Sequence, residues 1–113
     1  MFSESTKAKL EFLLKIISDI EHIITKHDGV AQALEDIEGH HAIMMCMLQI
    51  GETLPKIKEE KLSEILPIEL AYKMRNIIAH DYAGVNPNII ISTVETDVPK
   101  VKKAICDLLS QNS

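Results

Sequence analysis

The sequence predicts an all-α protein: an up-and-down four-helix bundle with an extra C-terminal helix or a kinked last helix. Three observations carry this. Apolar residues recur at three- and four-residue steps along most of the chain, the spacing of one helix face. Gly and Pro number only four each in 113 residues, so turns are few, whereas an all-β domain needs many. Aromatic residues make up 4% and Trp is absent, so the core must be aliphatic, built from Ile, Leu, Val and Met. The chain reads as a single domain, 1–113, because two halves would each be too small to hold a good core.

The first helix is expected over residues 5–26. Leu10, Leu13, Leu14, Ile17, Ile20 and Ile24 form its apolar stripe, and Glu11, Lys15, Asp19, Glu21 and Lys26 fill the other face. Ser5 or Ser3 is the N-cap, and Asp28-Gly29 the break. A second helix is expected over 31–54. Ala31, Leu34, Ile37, Met44 or Met45, Leu48 and Glu52 keep the helical step, and the stretch from Ala42 to Ile50 is apolar almost all round. That makes it the central, most buried helix. Gly39 and Gly51 lie inside it. Each costs about 1 kcal/mol against Ala, which close packing would offset. Pro55 and the charged run 56–61 form the exit.

A third helix is expected from Pro67 through Leu70, Met74, Ile77 and Ile78 to about Asp81, with Ala83-Gly84 as its stop. Asn86-Pro87 restarts the chain as N-cap and first-turn proline. Residues 89–96 are helical by context, although Ile-Ile-Ile-Ser-Thr-Val alone reads as a strand. Pro99 allows a kink or a new start, and Val101, Ile105, Leu108 and Leu109 give the last apolar face.

The formal charge is −5, from 12 basic and 17 acidic residues. The deficit lies in residues 1–52, with 4 basic and 9 acidic side chains; residues 53–113 carry 8 of each. Phosphate contacts need Lys and Arg, so an acidic chain is a poor general nucleic-acid binder, and an RNA partner must meet a local patch on the second half. Cys46, inside Met44-Met45-Cys46-Met47, reads as core, and with Cys106 it makes no disulfide framework. The opening MFSESTKAKLEF has no apolar signal core, and the longest apolar run, Ala42 to Leu48, is far short of a membrane span. A reduced, cytoplasmic protein away from membranes is the expectation.

The chemistry collects in Lys73-Met74-Arg75-Asn76-Ile77-Ile78-Ala79-His80-Asp81-Tyr82. At about 100° per residue, Asn76 and His80 share a helix face, whereas Arg75 and His80 stand about 140° apart. They converge if the helix ends at His80, or if two copies meet across a two-fold axis. Arg and His without a carboxylate cluster suit metal-independent cleavage of RNA. An imidazole takes the 2′-hydroxyl proton, or an imidazolium protonates the leaving oxygen. The guanidinium fork stabilises charge on the phosphate. No cofactor is implied.

Arg75-Asn76-x-x-x-His80 resembles the Arg-polar-x3-His motif of HEPN domains, and with Tyr82 it becomes Arg-x4-His-x-Tyr, similar to the HepT toxins of HepT/MntA toxin–antitoxin systems. Leu48-Gln49-Ile50-Gly51-Glu52 resembles the family's Ile-Gly-Glu segment, Met74 to Val85 its core block, and Val98-Pro99 its late proline. The likeness covers residues 7–110. One departure is Ile68, where the family often has a Trp used in packing. The resemblance implies a HEPN-like homodimer with the motif in a cleft at the interface. It implies an endoribonuclease toxin of a type VII-like system, with Arg75 and His80 catalytic and Asn76 supporting. It further implies that Tyr82 is adenylylated by a partner MntA-like nucleotidyltransferase, which silences the toxin. AMP there would add bulk and negative charge where the RNA phosphate should sit.

Each residue also has a plainer reading. Arg75 and His80 suit a helix surface and a helix C-terminus; Tyr82 suits a packing role; Glu52 is a solvated carboxylate or a partner that orients Arg75. Asn76 either positions the imidazole or makes a cap or interface hydrogen bond. His40 and His41 point about 100° apart on a helix and cannot chelate one ion together, and no Cys or carboxylate completes a metal set. Lys100, Lys102 and Lys103 either help hold RNA or form a solvated face. Two rival functions follow: a non-catalytic HEPN binding module that partners a nucleotidyltransferase, and a structural helical dimer in which Arg75 and His80 only hold the interface.

Overall fold

Ser3 opens the first helix. Its hydroxyl accepts the Thr6 amide N–H at 3.1 Å, taking up one donor that a helix start leaves without a partner. Helix α1 then runs Glu4–His27. It ends where Asp28 turns left-handed, at φ 61°, and the Gly29 amide closes on the Ile24 carbonyl at 3.0 Å. Gly29 itself sits at φ 145°, where a side chain would be strained. The structure, a computed structural model, describes residues 2–57, 69, 72–76 and 86–111.

The helix expected over 31–54 is two helices. Helix α2, Val30–Glu35, and helix α3, Ile37–Thr53, are separated by Asp36, which is extended at φ −86°, ψ 134°. The cause is local. The Asp36 carboxylate caps α3 by accepting the Gly39 amide N–H at 2.8 Å, and it receives His27 Nε2 at 3.2 Å. The Gly39 bond first, and then His27, hold the Asp36 carboxyl below the usual carboxylate range. Gly39 has the packing role expected of it: a Cβ there would run into the Ala33 carbonyl at the end of α2. Because His27 ends α1 and Asp36 begins α3, the two long helices run antiparallel, joined at one end by this contact.

Asn86 caps the last helical run, accepting the Asn88 N–H at 2.9 Å, and Pro87 takes the first position. Helix α4, Pro87–Ser92, passes through a π-helical segment, Thr93–Asp97, into helix α5, Val98–Gln111. The run that alone reads as a strand is therefore helical. The irregularity expected near Pro99 appears as the π segment just ahead of it. Proline has no N–H to donate, and its ring collides with the carbonyl four residues back, which here belongs to Glu95 inside that segment.

The core is aliphatic, as the composition requires. Leu10, Leu13, Ile17 and Ile20 of α1 meet Ile43, Met44, Met47 and Ile50 of α3, and Val94, Val98, Val101 and Ile105 close the other side. Burying each such side chain is worth about 1.5–3 kcal/mol. Cys46 is buried as expected; that burial first, and then Asp19, push its thiol up to about 11. Met45 departs from its neighbours and is exposed. The Lys102 ammonium meets the Glu21 carboxylate at 2.8 Å, bracing α5 against α1. The result is an all-α bundle with no strand among the described residues. The expected start of the third helix at Pro67, and its stop at Ala83-Gly84, lie outside the described residues.

Candidate functional site

Two stretches of chain meet at the end of α3. The first is the α3 exit. Core-facing Ile50 and Gly51 are buried, which turns Glu52 outward. A 3₁₀ turn, Leu54–Lys56, follows and closes with the Ile57 N–H on the Leu54 carbonyl at 3.2 Å. Leu54 and Ile57 are both buried, so they pin the turn from either side. Lys56, between the anchors, is exposed, and Pro55 stiffens the link.

The second stretch is helical over residues 72–76. Met74 is fully buried and fixes the helix phase. With Met74 facing in, Arg75 and Asn76 face out, and both are exposed. Lys73 reaches Asp97 of the π segment at 3.9 Å. The irregular turn in the last helix thereby helps place the segment that carries Arg75.

Glu52, Pro55, Lys56 and Arg75 line one cleft of about 310 Å³. Its described charges are two cations and one carboxylate. No ion pair joins any of the three to another among the described residues. Among the described lining residues positive charge outweighs negative, in a chain whose formal charge is −5, and a guanidinium and an ammonium at one opening favour a phosphate-bearing ligand.

Of the residues singled out in the sequence, Arg75 and Glu52 come together here. Asn76 is exposed beside Arg75 without being among the lining residues. His80 and Tyr82, with Asp81, lie outside the described residues. Lys56 is the residue that reading the sequence missed. The signal was present: Glu52 and Lys56 are four apart, the spacing of neighbours on one helix face, but Lys56 lies in the mixed-charge run 56–61, which reads as a solvated exit.

The other candidates lie elsewhere. The rings of His40 and His41 meet edge to face, 5.4 Å apart with planes at 84°. Both nitrogens of His27 are engaged, by the Ile23 carbonyl at 2.8 Å and by Asp36. Lys102 is paired with Glu21, and Lys103 with Asp107 at 3.1 Å. Two of the three clustered lysines of α5 are therefore committed within the protein.

Residues 13–108 match the family described as Ribonuclease HepT-like. The chain belongs to the HepT-like ribonuclease family. The HepT-like match takes in most of α1, all of α3 and every described residue that lines the cleft. Two relatives agree. A protein of Caldanaerobacter subterraneus subsp. tengcongensis named "Putative RNase" is 29% identical over 110 residues, 93% of this chain and 97% of that one. A protein of Methanocaldococcus jannaschii with the same style of name is 32% identical over 97 residues, 81% of this chain and 83% of that one. No solved structure matches the chain significantly. No helix among the described residues is long and apolar enough to cross a membrane.

Proposed function

We propose that this protein is the toxin of a two-component system of the HepT kind: a homodimeric endoribonuclease that works without a metal and is silenced when a partner nucleotidyltransferase adds AMP to Tyr82. The observation that carries the reading is the placement of Arg75. It projects from a helix whose inward side is locked by buried Met74, into a cleft it shares with Lys56 and Glu52. Membership of the HepT-like family and the names of its relatives add weight to ribonuclease activity.

In this reading RNA enters the cleft and Arg75 grips the scissile phosphate. The ribose 2′-oxygen attacks its own phosphorus, and the bond to the 5′-oxygen of the next nucleotide breaks. The 2′-hydroxyl proton leaves to a base and the 5′-oxygen gains one; His80 is one of the two proton carriers. The products are a 2′,3′-cyclic phosphate and a 5′-hydroxyl. The Arg75 guanidinium holds the extra negative charge on the phosphoryl oxygens as the bonds exchange. Asn76, four residues before His80 in the sequence, steadies the imidazole, and Glu52 orients Arg75. Pairing of two subunits brings both Arg75–His80 sets to a shared crevice.

The test is cleavage by unmodified protein in EDTA. The expected result is RNA cut to cyclic phosphate ends, with activity lost in His80→Ala while fold and dimer persist. Absence of any cutting, in cells and in vitro, would leave a binding module instead. If Arg75→Ala dissociates the dimer, the residue serves the interface and not catalysis. For Tyr82, intact mass after co-expression with a neighbouring nucleotidyltransferase should rise by whole AMP units, and Tyr82→Phe should show no rise.

A further inference from the structure

Arg75 alone does not account for the charge of the cleft. Lys56 lines it too, and its setting is a constructed one. Leu54 and Ile57 are buried on either side, the turn between them is closed by a backbone hydrogen bond of 3.2 Å, and Pro55 restricts the chain just before it. The Lys56 backbone is thus held in place while its four-carbon stem is free to reach. Its charge is available, since no carboxylate pairs with it among the described residues, not even Glu52 four residues earlier.

The two cations suit different tasks. A guanidinium fork binds two oxygens of one phosphate in fixed geometry, as stabilisation of a reacting phosphoryl group requires. An ammonium on a flexible stem is a point charge that follows a backbone phosphate without fixing its orientation. We propose that Lys56 holds a phosphate flanking the scissile one, so that Lys56 and Arg75 together grip consecutive phosphates of a single RNA strand. This rests on the reading of the protein as a ribonuclease. It also explains how an acidic chain engages RNA: the contact is confined to this cleft and does not depend on the overall field.

The experiment compares wild type, Lys56→Gln, Lys56→Arg and, as a control for bulk charge, Lys26→Gln. Lys26 is exposed near the end of α1, the end of the bundle away from Glu52. Two measurements are made on unmodified protein. One is cleavage of a mixed-sequence RNA. The other is affinity for a 2′-O-methyl RNA oligonucleotide, which lacks the attacking hydroxyl, across a series of salt concentrations. Losing one phosphate contact to a single strand should flatten the slope of log affinity against log salt by about 0.7.

The expected result is that flattening in Lys56→Gln, with KM raised and kcat kept, recovery in Lys56→Arg, and no change in Lys26→Gln. An unchanged slope in Lys56→Gln overturns the proposal while wild-type cleavage keeps the ribonuclease reading intact. An equal change in Lys26→Gln overturns it in favour of bulk charge. A fall in kcat with KM unchanged overturns the flanking position. If wild type neither binds nor cuts RNA, the ribonuclease reading fails and Lys56 loses its role with it.

Discussion

Glu52 at the end of α3 and Arg75 on the following helical segment line the same cleft without forming an ion pair among the described residues. An arginine neutralised by a bidentate carboxylate would present little charge to a phosphate. With no such pairing among the described residues, Arg75 keeps its donors for a ligand at the shared opening.

Arg75→Ala should therefore separate activity from stability. The side chain is exposed, so thermal unfolding should stay within a degree or so of wild type. RNA cleavage should fall by about a hundredfold or more, the scale on which loss of a charge-stabilising donor acts. Glu52→Gln should give a smaller loss of kcat with no change in melting. A melting shift as large as the activity loss in Arg75→Ala would mark the residue as structural.

Met74→Ala should act the other way round. Met74 is fully buried, and truncation of such a side chain costs about 2–5 kcal/mol. Urea unfolding should show that loss. Because Met74 fixes the phase of the segment, cleavage per folded molecule should fall as well. Retention of full activity in the folded fraction would mean that Arg75 is positioned by something else.

Gly39→Ala places a methyl group against the Ala33 carbonyl. Backbone cannot yield as a flexible side chain can, so the variant should lose about 1–3 kcal/mol, the usual cost of overpacking. Since Gly39 sits at the other end of α3 from the cleft, kcat should hold at temperatures where the variant is folded.

Asp36 gives a pH prediction. Its folded-state pKa lies below the ordinary value, so folding favours the charged form. The stabilisation is present above the unfolded carboxylate pKa, about 3.9, and is lost as pH falls from there through the folded value. Asp36→Ala should unfold more easily at neutral pH and show a weaker dependence on acid over that window. Asp36→Asn should keep part of the cap, since an amide oxygen still accepts the Gly39 N–H, yet lose the same acid dependence. An Asp36→Ala acid profile parallel to wild type would remove the cap from the account.

The sequence by itself determined the helical class, the aliphatic core, the cap at Asn86 and the break at Asp28-Gly29, and it narrowed the first cap to Ser3 or Ser5 and marked an irregularity near Pro99. Each is a local or periodic property: a hydroxyl or amide oxygen within reach of a nearby N–H, a missing proline donor, a three- and four-residue apolar step. The motif around Arg75 was legible as chemistry for the same reason, since its residues are consecutive. Two things were decided only by the tertiary structure. Asp36 breaks the expected second helix, because its carboxylate gains Gly39 and the distant His27 together, and periodicity cannot register a partner contributed by another helix. Lys56 joins Arg75 in one cleft because buried anchors at Leu54, Ile57 and Met74 orient two separate stretches toward the same opening. Side-chain neighbourhood across such a gap is set by how the core packs, a sum over many contacts that no short window of residues contains.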